Sequence, residues 1–364
     1  MKKLFYFVVL LATASFTAQA QTVRYVDNNP GAPTASGVNY TTIQAAIDAS
    51  SPGDIIYIQP SPINYDNPTI NKQLKIYGLA PNPELNAGAR AYVPNFYFNG
   101  AAAGTTISGL FIGTINLGYA FVNTGVVIQN NRIDGTITGN NTTGRSDDVV
   151  IVGNYFYNAS GSHSIDVYNS LNWTIANNIF YKNHTQPTYQ LFYRMNNSTL
   201  FNNNIILSRQ NGDSNQSIEV FWNCDGTQIS NNIFIFTGNN VANMNLGGNT
   251  SLLFNNNLTW GTVTTLDPLA GMNNIDDTDP QFVSFDPNNS LNNPSHDFHI
   301  QGGSPAENAG TDGNDLGVFN GAYPFSIRGY PTELPYLTDF VIFNNILSEG
   351  TDLNINVKAN ANNN

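Results

Sequence analysis

The side chains that could do chemistry are few: charged residues make up only 10% of the 364. Cys224 is alone, so it has no disulfide partner, and His163, His184, His296 and His299 do not fall at zinc-ligand spacing. Asp276-Asp277-Thr278-Asp279 and Asp312-Gly313-Asn314-Asp315 raise Ca²⁺ as a candidate cofactor. Neither run carries a bidentate Glu at the offset of a calcium loop, so turn-forming Asp is the favoured reading and the metal is left unknown. Asp147 and Asp148 are adjacent, and neighbours on a strand face opposite ways, so spacing alone does not make them an acid and a base. The basic residues closest to a group are Lys182, Arg194 and Arg209, which fall in two neighbouring repeats of the pattern described below.

Three short apolar-polar segments offer the richest mixture: Ile165-Asp166-Val167-Tyr168, Leu191-Phe192-Tyr193-Arg194 and Ile218-Glu219-Val220-Phe221. Read as strands with strict alternation, they turn Ile165, Leu191 and Ile218 inward together with Val167, Tyr193 and Val220. Asp166, Phe192 and Glu219 then form one outward column, and Tyr168, Arg194 and Phe221 a second. Stacked at ~4.8 Å, the three segments span about two sugar rings. Aromatic faces suit sugar C–H surfaces, and carboxylates and Arg suit hydroxyls. Asp166, Tyr168, Phe192, Glu219 and Phe221 are therefore the expected ligand contacts; that the ligand is a glycan is what the family resemblance given below implies.

What must position these residues is a repeated phrase. Ile175-Ala176-Asn177-Asn178-Ile179-Phe180 has counterparts at Ile128–Ile133, Phe201–Ile206, Ile229–Phe234 and Phe254–Thr259, with weaker ones at Thr106–Phe111 and Ile151–Phe156. Its fourth position falls at Gly109, Asn131, Asn154, Asn178, Asn204, Asn232 and Asn257, spaced 22–28 residues apart. A fixed period of this length means stacked supersecondary units. The segments are short, β-branched and aromatic, without helical periodicity, so each repeat reads as strands and turns of one coil. Stacking sets each Asn over the next, where carboxamides can hydrogen-bond along the column, making Asn131, Asn154, Asn178, Asn204, Asn232 and Asn257 a buried structural ladder.

These Asn repeats resemble the pectin-lyase-like superfamily of right-handed parallel β-helices over about residues 40–321. The fold class implied is all-β, a single-stranded right-handed parallel β-helix. The superfamily's lyases take a proton from C5 of a uronate with Lys or Arg, while Ca²⁺ or basic groups neutralise the carboxylate. The resemblance thereby implies Lys182, Arg194 and Arg209 as candidate catalytic residues. A polygalacturonase-type site is not matched. Gly161-Ser162-His163 follows Asp147-Asp148, but the family's Asn-Thr-Asp and Arg-Ile-Lys are missing.

The remaining chain supplies the ends. Lys2, Lys3, an apolar run over Leu4–Leu11 and Ala18-Gln19-Ala20 form a secretory signal peptide, residues 1–20, so a secreted or cell-surface protein is expected. Thr41 or Thr42 caps a short amphipathic helix bearing Ile43, Ala46 and Ile47, which covers the open first coil. The β-helix is assigned residues 21–325, with residues 271–320 as closing coils. Residues 326–364 form a C-terminal β extension packing on the last coil, with strands over 340–347 and 352–357. Thirteen basic and 25 acidic residues give a net charge of −12, which becomes −14 without Lys2 and Lys3. That field excludes general binding of nucleic acid or anionic lipid, and no later segment has membrane-spanning length. The expected partner of this monomer is a polysaccharide or cell-surface glycan, bound or cleaved. The alternative is a non-catalytic adhesion module that uses the stack as a rigid scaffold.

Overall fold

The computed structural model describes residues 21–326, apart from 34–36, 119–120, 140–143, 159–162, 185–189, 211–217, 239–241, 244–247 and scattered positions within 79–89 and 290–294. Beyond 326 it describes 336–342, 352 and 355–360, so the signal segment lies outside the described residues. The chain winds into a right-handed parallel β-helix with two long sheets, one of twelve strands and one of thirteen. Register is carried residue on residue from coil to coil: Ile107, Ile128, Ile151 and Ile175 pair in sequence and continue to Phe201, Ile229 and Phe254. All of these are buried, and with Phe156, Phe180 and Phe234 from the second sheet they fill the interior. The helix Ile43–Ala49 closes the first coil with Ile43, Ala46 and Ile47 buried. Thr42 Oγ1 accepts from Ala45 N at 3.3 Å, and Asp66 accepts from the backbone of Ile43 and Gln44, two donors the helix itself cannot satisfy.

At the turn between the sheets the second Asn of each repeat points inward. Asn154 Oδ1 accepts from Asn131 N at 3.0 Å and from Asn131 Nδ2 at 3.1 Å, while Asn131 Nδ2 also donates to the carbonyls of Ile107 and Gln129. The same set recurs at Asn178, Asn204, Asn232 and Asn257. It runs one step further than the sequence frame indicated, to Asn274, whose Oδ1 accepts from Asn257 N at 3.0 Å.

The first Asn of the repeat has a different task. Asn130, Asn177, Asn203, Asn231 and Asn256 have φ of 53°, 54°, 55°, 60° and 54°, the left-handed conformation that Asn tolerates best among residues with a Cβ. Their side chains face outward, where four of them hold a returning strap of chain. Asn256 Nδ2 donates to Ala309 O at 2.9 Å, and Asn231 Oδ1 accepts from Thr311 N at 2.9 Å. Asn203 Nδ2 donates to Gly317 O at 3.4 Å, and Asn177 Nδ2 to Val318 O at 2.8 Å.

This strap corrects the expectation of closing coils over 271–320. After Ile275, which bridges to Leu258, the chain makes an antiparallel pair, Phe282–Ser284 with Asp297–Ile300, and runs back along the outside of the stack. There Phe282, Phe298, Ala306, Leu316 and Val318 form a second core against Ile179, Tyr181, Ile205, Leu207, Ile233, Ile235 and Leu258. The reason is visible in strands such as Ile233-Phe234-Ile235-Phe236, which are apolar at every position and so need cover on both faces. Tyr336–Ile342 and Ile355–Asn360 pair with each other in an antiparallel hairpin. Among the described residues no helix is long and apolar enough to cross a membrane.

Candidate functional site

The three segments singled out in sequence do lie side by side, but out of the expected register: relative to the first, the second is displaced by one residue and the third by three. Ile165–Asp166, Phe192–Tyr193 and Phe221–Trp222 pair so that Ile165, Phe192 and Phe221 align, as do Asp166, Tyr193 and Trp222. Phe192 and Phe221 are fully buried, their rings 5.3 Å apart inside the stack, which overturns the outward placement of both. The cause is a corner. Leu191 and Val220 are buried immediately before them, and the chain bends there, so two consecutive residues face inward and alternation restarts one position later. Tyr193, expected inside, is half-buried and faces out. Glu219 lies in Ile218–Glu219, which pairs with Ala242–Asn243 in a separate small sheet, and its side chain lies outside the described residues.

The outward column is therefore Asp166, Tyr193 and Trp222, with Tyr168 and Arg194 beside it. Arg194 engages both carboxylate oxygens of Asp166, Nε to Oδ1 at 2.9 Å and Nη2 to Oδ2. Its guanidinium carbon lies 3.9 Å from the Tyr168 ring centre and 4.2 Å from that of Tyr193. The His163 ring stacks on Tyr193 with centres 4.5 Å apart and planes 12° from parallel. His163 Nε2 lies 3.3 Å from Gln190 Oε1, and Asn223 Nδ2 donates to Tyr193 Oη at 3.5 Å. Tyr168, Arg194 and Asn223 all have positive φ, at 57°, 55° and 49°. These turns end the short strands and bring the side chains back beside the column. Burial holds the His163 pKa below its ordinary value; Asp166 and the Gln190 hydrogen bond oppose that, and Lys182 and Arg194 reinforce it.

The basic trio does not assemble. Lys182 is 1% exposed and lies on the interior side of its strand with Phe180, aligned with Asn158 and Ser208 in the adjacent coils. Burial lowers its pKa to about 8. Arg194 is committed to Asp166 on another strand. Arg209 faces the outside of the stack, where Nη2 donates to the carbonyls of Pro287 and Asn289 and Nε to Thr237 Oγ1. Lys182 and Arg194 share an electrostatic neighbour in His163, whereas Arg209 acts on Tyr181 and His296. Among the described residues no three His, Cys, Asp or Glu side chains are grouped to hold a metal ion. The acidic runs serve turns: Asp276 accepts from Leu269 N, Asp277 from Gly261 N and Asp315 from Asn308 N.

Sequence reading missed His163, Gln190, Trp222 and Asn223 as members of this face. The signal that could have placed them is the doubled apolar pair before each short strand, Leu191-Phe192 and Val220-Phe221, which marks a corner rather than an alternating strand. The chain matches no protein-family model and no curated protein.

Proposed function

We propose that this is an exported protein that binds polysaccharide on the face of its second sheet, through Asp166, Tyr193 and Trp222 with Tyr168, His163 and Asn223 around them. The single observation behind the reading is the outward aromatic and polar column on three successive coils. Half-buried aromatic rings offer flat apolar faces at low entropic cost, and the carboxylate and amide beside them can meet hydroxyl groups. Binding is favoured over cleavage because each basic candidate is already engaged or enclosed: Lys182 inside the stack, Arg194 on Asp166, Arg209 on two backbone carbonyls. A second reading, a rigid adhesion scaffold, is favoured by the outer face of the first sheet. Its two rows run from Thr106 and Ser108 to Leu253 and Asn255 without a charged residue.

Retardation of the mature chain in native gels containing a panel of polysaccharides tests the first reading. Trp222→Ala should weaken retention about tenfold, the scale of one lost stacking contact, without lowering the melting temperature. Phe221→Ala should instead destabilise the stack by about 3–5 kcal/mol. Unchanged retention by Trp222→Ala would place binding elsewhere, and no retention by any polymer would favour the scaffold.

A further inference from the structure

Resting on the proposal that this face binds glycan, we infer that its ligand is an uncharged polysaccharide, and that the Asp166–Arg194 pair makes the face unsuited to uronates. Recognition of a carboxylated sugar needs a cation whose charge is not already matched. Among the described residues Arg194 is the one guanidinium on the face, and it spends Nε and Nη2 on the two oxygens of Asp166. Its plane is further occupied by the rings of Tyr168 and Tyr193. The two charges cancel at contact distance, so an incoming carboxylate would meet the Asp166 carboxylate alongside the guanidinium it seeks.

The other cations do not repair this. Lys182 is enclosed in the interior, and Arg209 lies on the outer row beneath the 287–289 segment. His163, the other basic side chain on the face among the described residues, is held toward its neutral form by burial. Beyond the face itself, a chain of net charge −12 repels a polyanion at long range. An uncharged sugar meets none of these costs. Its C–H face can lie on Trp222 or Tyr193, and its hydroxyls can donate to Asp166 or accept from Asn223.

The closing experiment uses two sets of native gels at low ionic strength, with and without Ca²⁺. One set contains neutral xylan, glucomannan, β-glucan or galactan, and the other polygalacturonate or alginate. The wild-type chain should be retarded by at least one neutral polymer and by neither uronate. Asp166→Asn keeps the side-chain shape but uncovers the Arg194 charge, so it should gain about tenfold in affinity for polygalacturonate, the scale of one unscreened contact near a protein surface. Adding Arg194→Gln should abolish that gain. Should Asp166→Asn not fold, the wild-type comparison between the two sets decides by itself. Wild-type retention by a uronate polymer equal to or above that by neutral polymers, with or without Ca²⁺, overturns the inference and leaves glycan binding standing. Retention by no polymer in either set overturns both.

Discussion

At the scale of single residues, the Asn doublet carries two separable functions, and substitution should split them. Asn178 and its counterparts are buried and bonded on both sides, so Asn178→Leu strands backbone and amide groups in the coils above and below. A loss of about 2–3 kcal/mol is expected in urea unfolding. Asn177→Gly keeps the left-handed turn and removes only the grip on Val318 and Asn320, so about 1 kcal/mol is expected, from hydrogen bonds that water partly replaces. Equal losses would mean that the two positions are not distinct. Lys182 is the other informative residue. Its pKa in the folded chain is about 8 against an ordinary 10.5. Below pH 8 both folded and unfolded chains hold the proton, and the folded state bears the whole cost of the buried charge, about 3 kcal/mol. Between pH 8 and 10.5 only the unfolded chain stays protonated, so stability rises with pH and the cost disappears. Lys182→Met should therefore be more stable than wild type at pH 7, by an amount that shrinks as pH is raised toward 10. A pH-independent difference would place the ammonium in a polar environment.

At the scale of elements, what was legible followed from whether a residue type has one structural use or several. A buried Asn at fixed spacing has few alternatives to a ladder, so the long sheets, their register and the helix over Ile43–Ala49 could be read from the chain. The short strands could not, because two residues do not display an alternation and a corner shifts it by one. That shift exchanged Phe192 for Tyr193 and Phe221 for Trp222, turning expected contacts into core. The strap was not legible for a related reason: the first Asn of each doublet carries no signal of what its side chain holds, and continuous apolar strands such as Ile205-Ile206-Leu207 require cover without naming the segment that supplies it. Val318 tests the assignment. It is fully buried between the strap and the sheet, and Val318→Asp introduces a charge with no partner, at a cost of about 3–5 kcal/mol. Limited proteolysis should then cut within 309–325 while the coils over 106–258 stay protected. Protection of both segments would show that the strap does not depend on that apolar seat.

At the scale of the whole molecule, a solenoid is close to one-dimensional, each coil touching only the next, so its ends are free to fray. The helix over Ile43–Ala49 guards one end. The other ends in short strands, Leu258–Gly261 and Gly271–Met272, with only partial further coil. The strap answers this by running against the order of the coils, from Asn256 through Asn231 and Asn203 to Asn177. In mechanical terms it is a tie-rod lying along the axis of the stack. A coil that peels from the far end must tear its own fastening from the rod, while the rod stays anchored further back. Load applied at the weakest coil is thereby shared among several, and the stack resists as a beam in place of a column of loose plates.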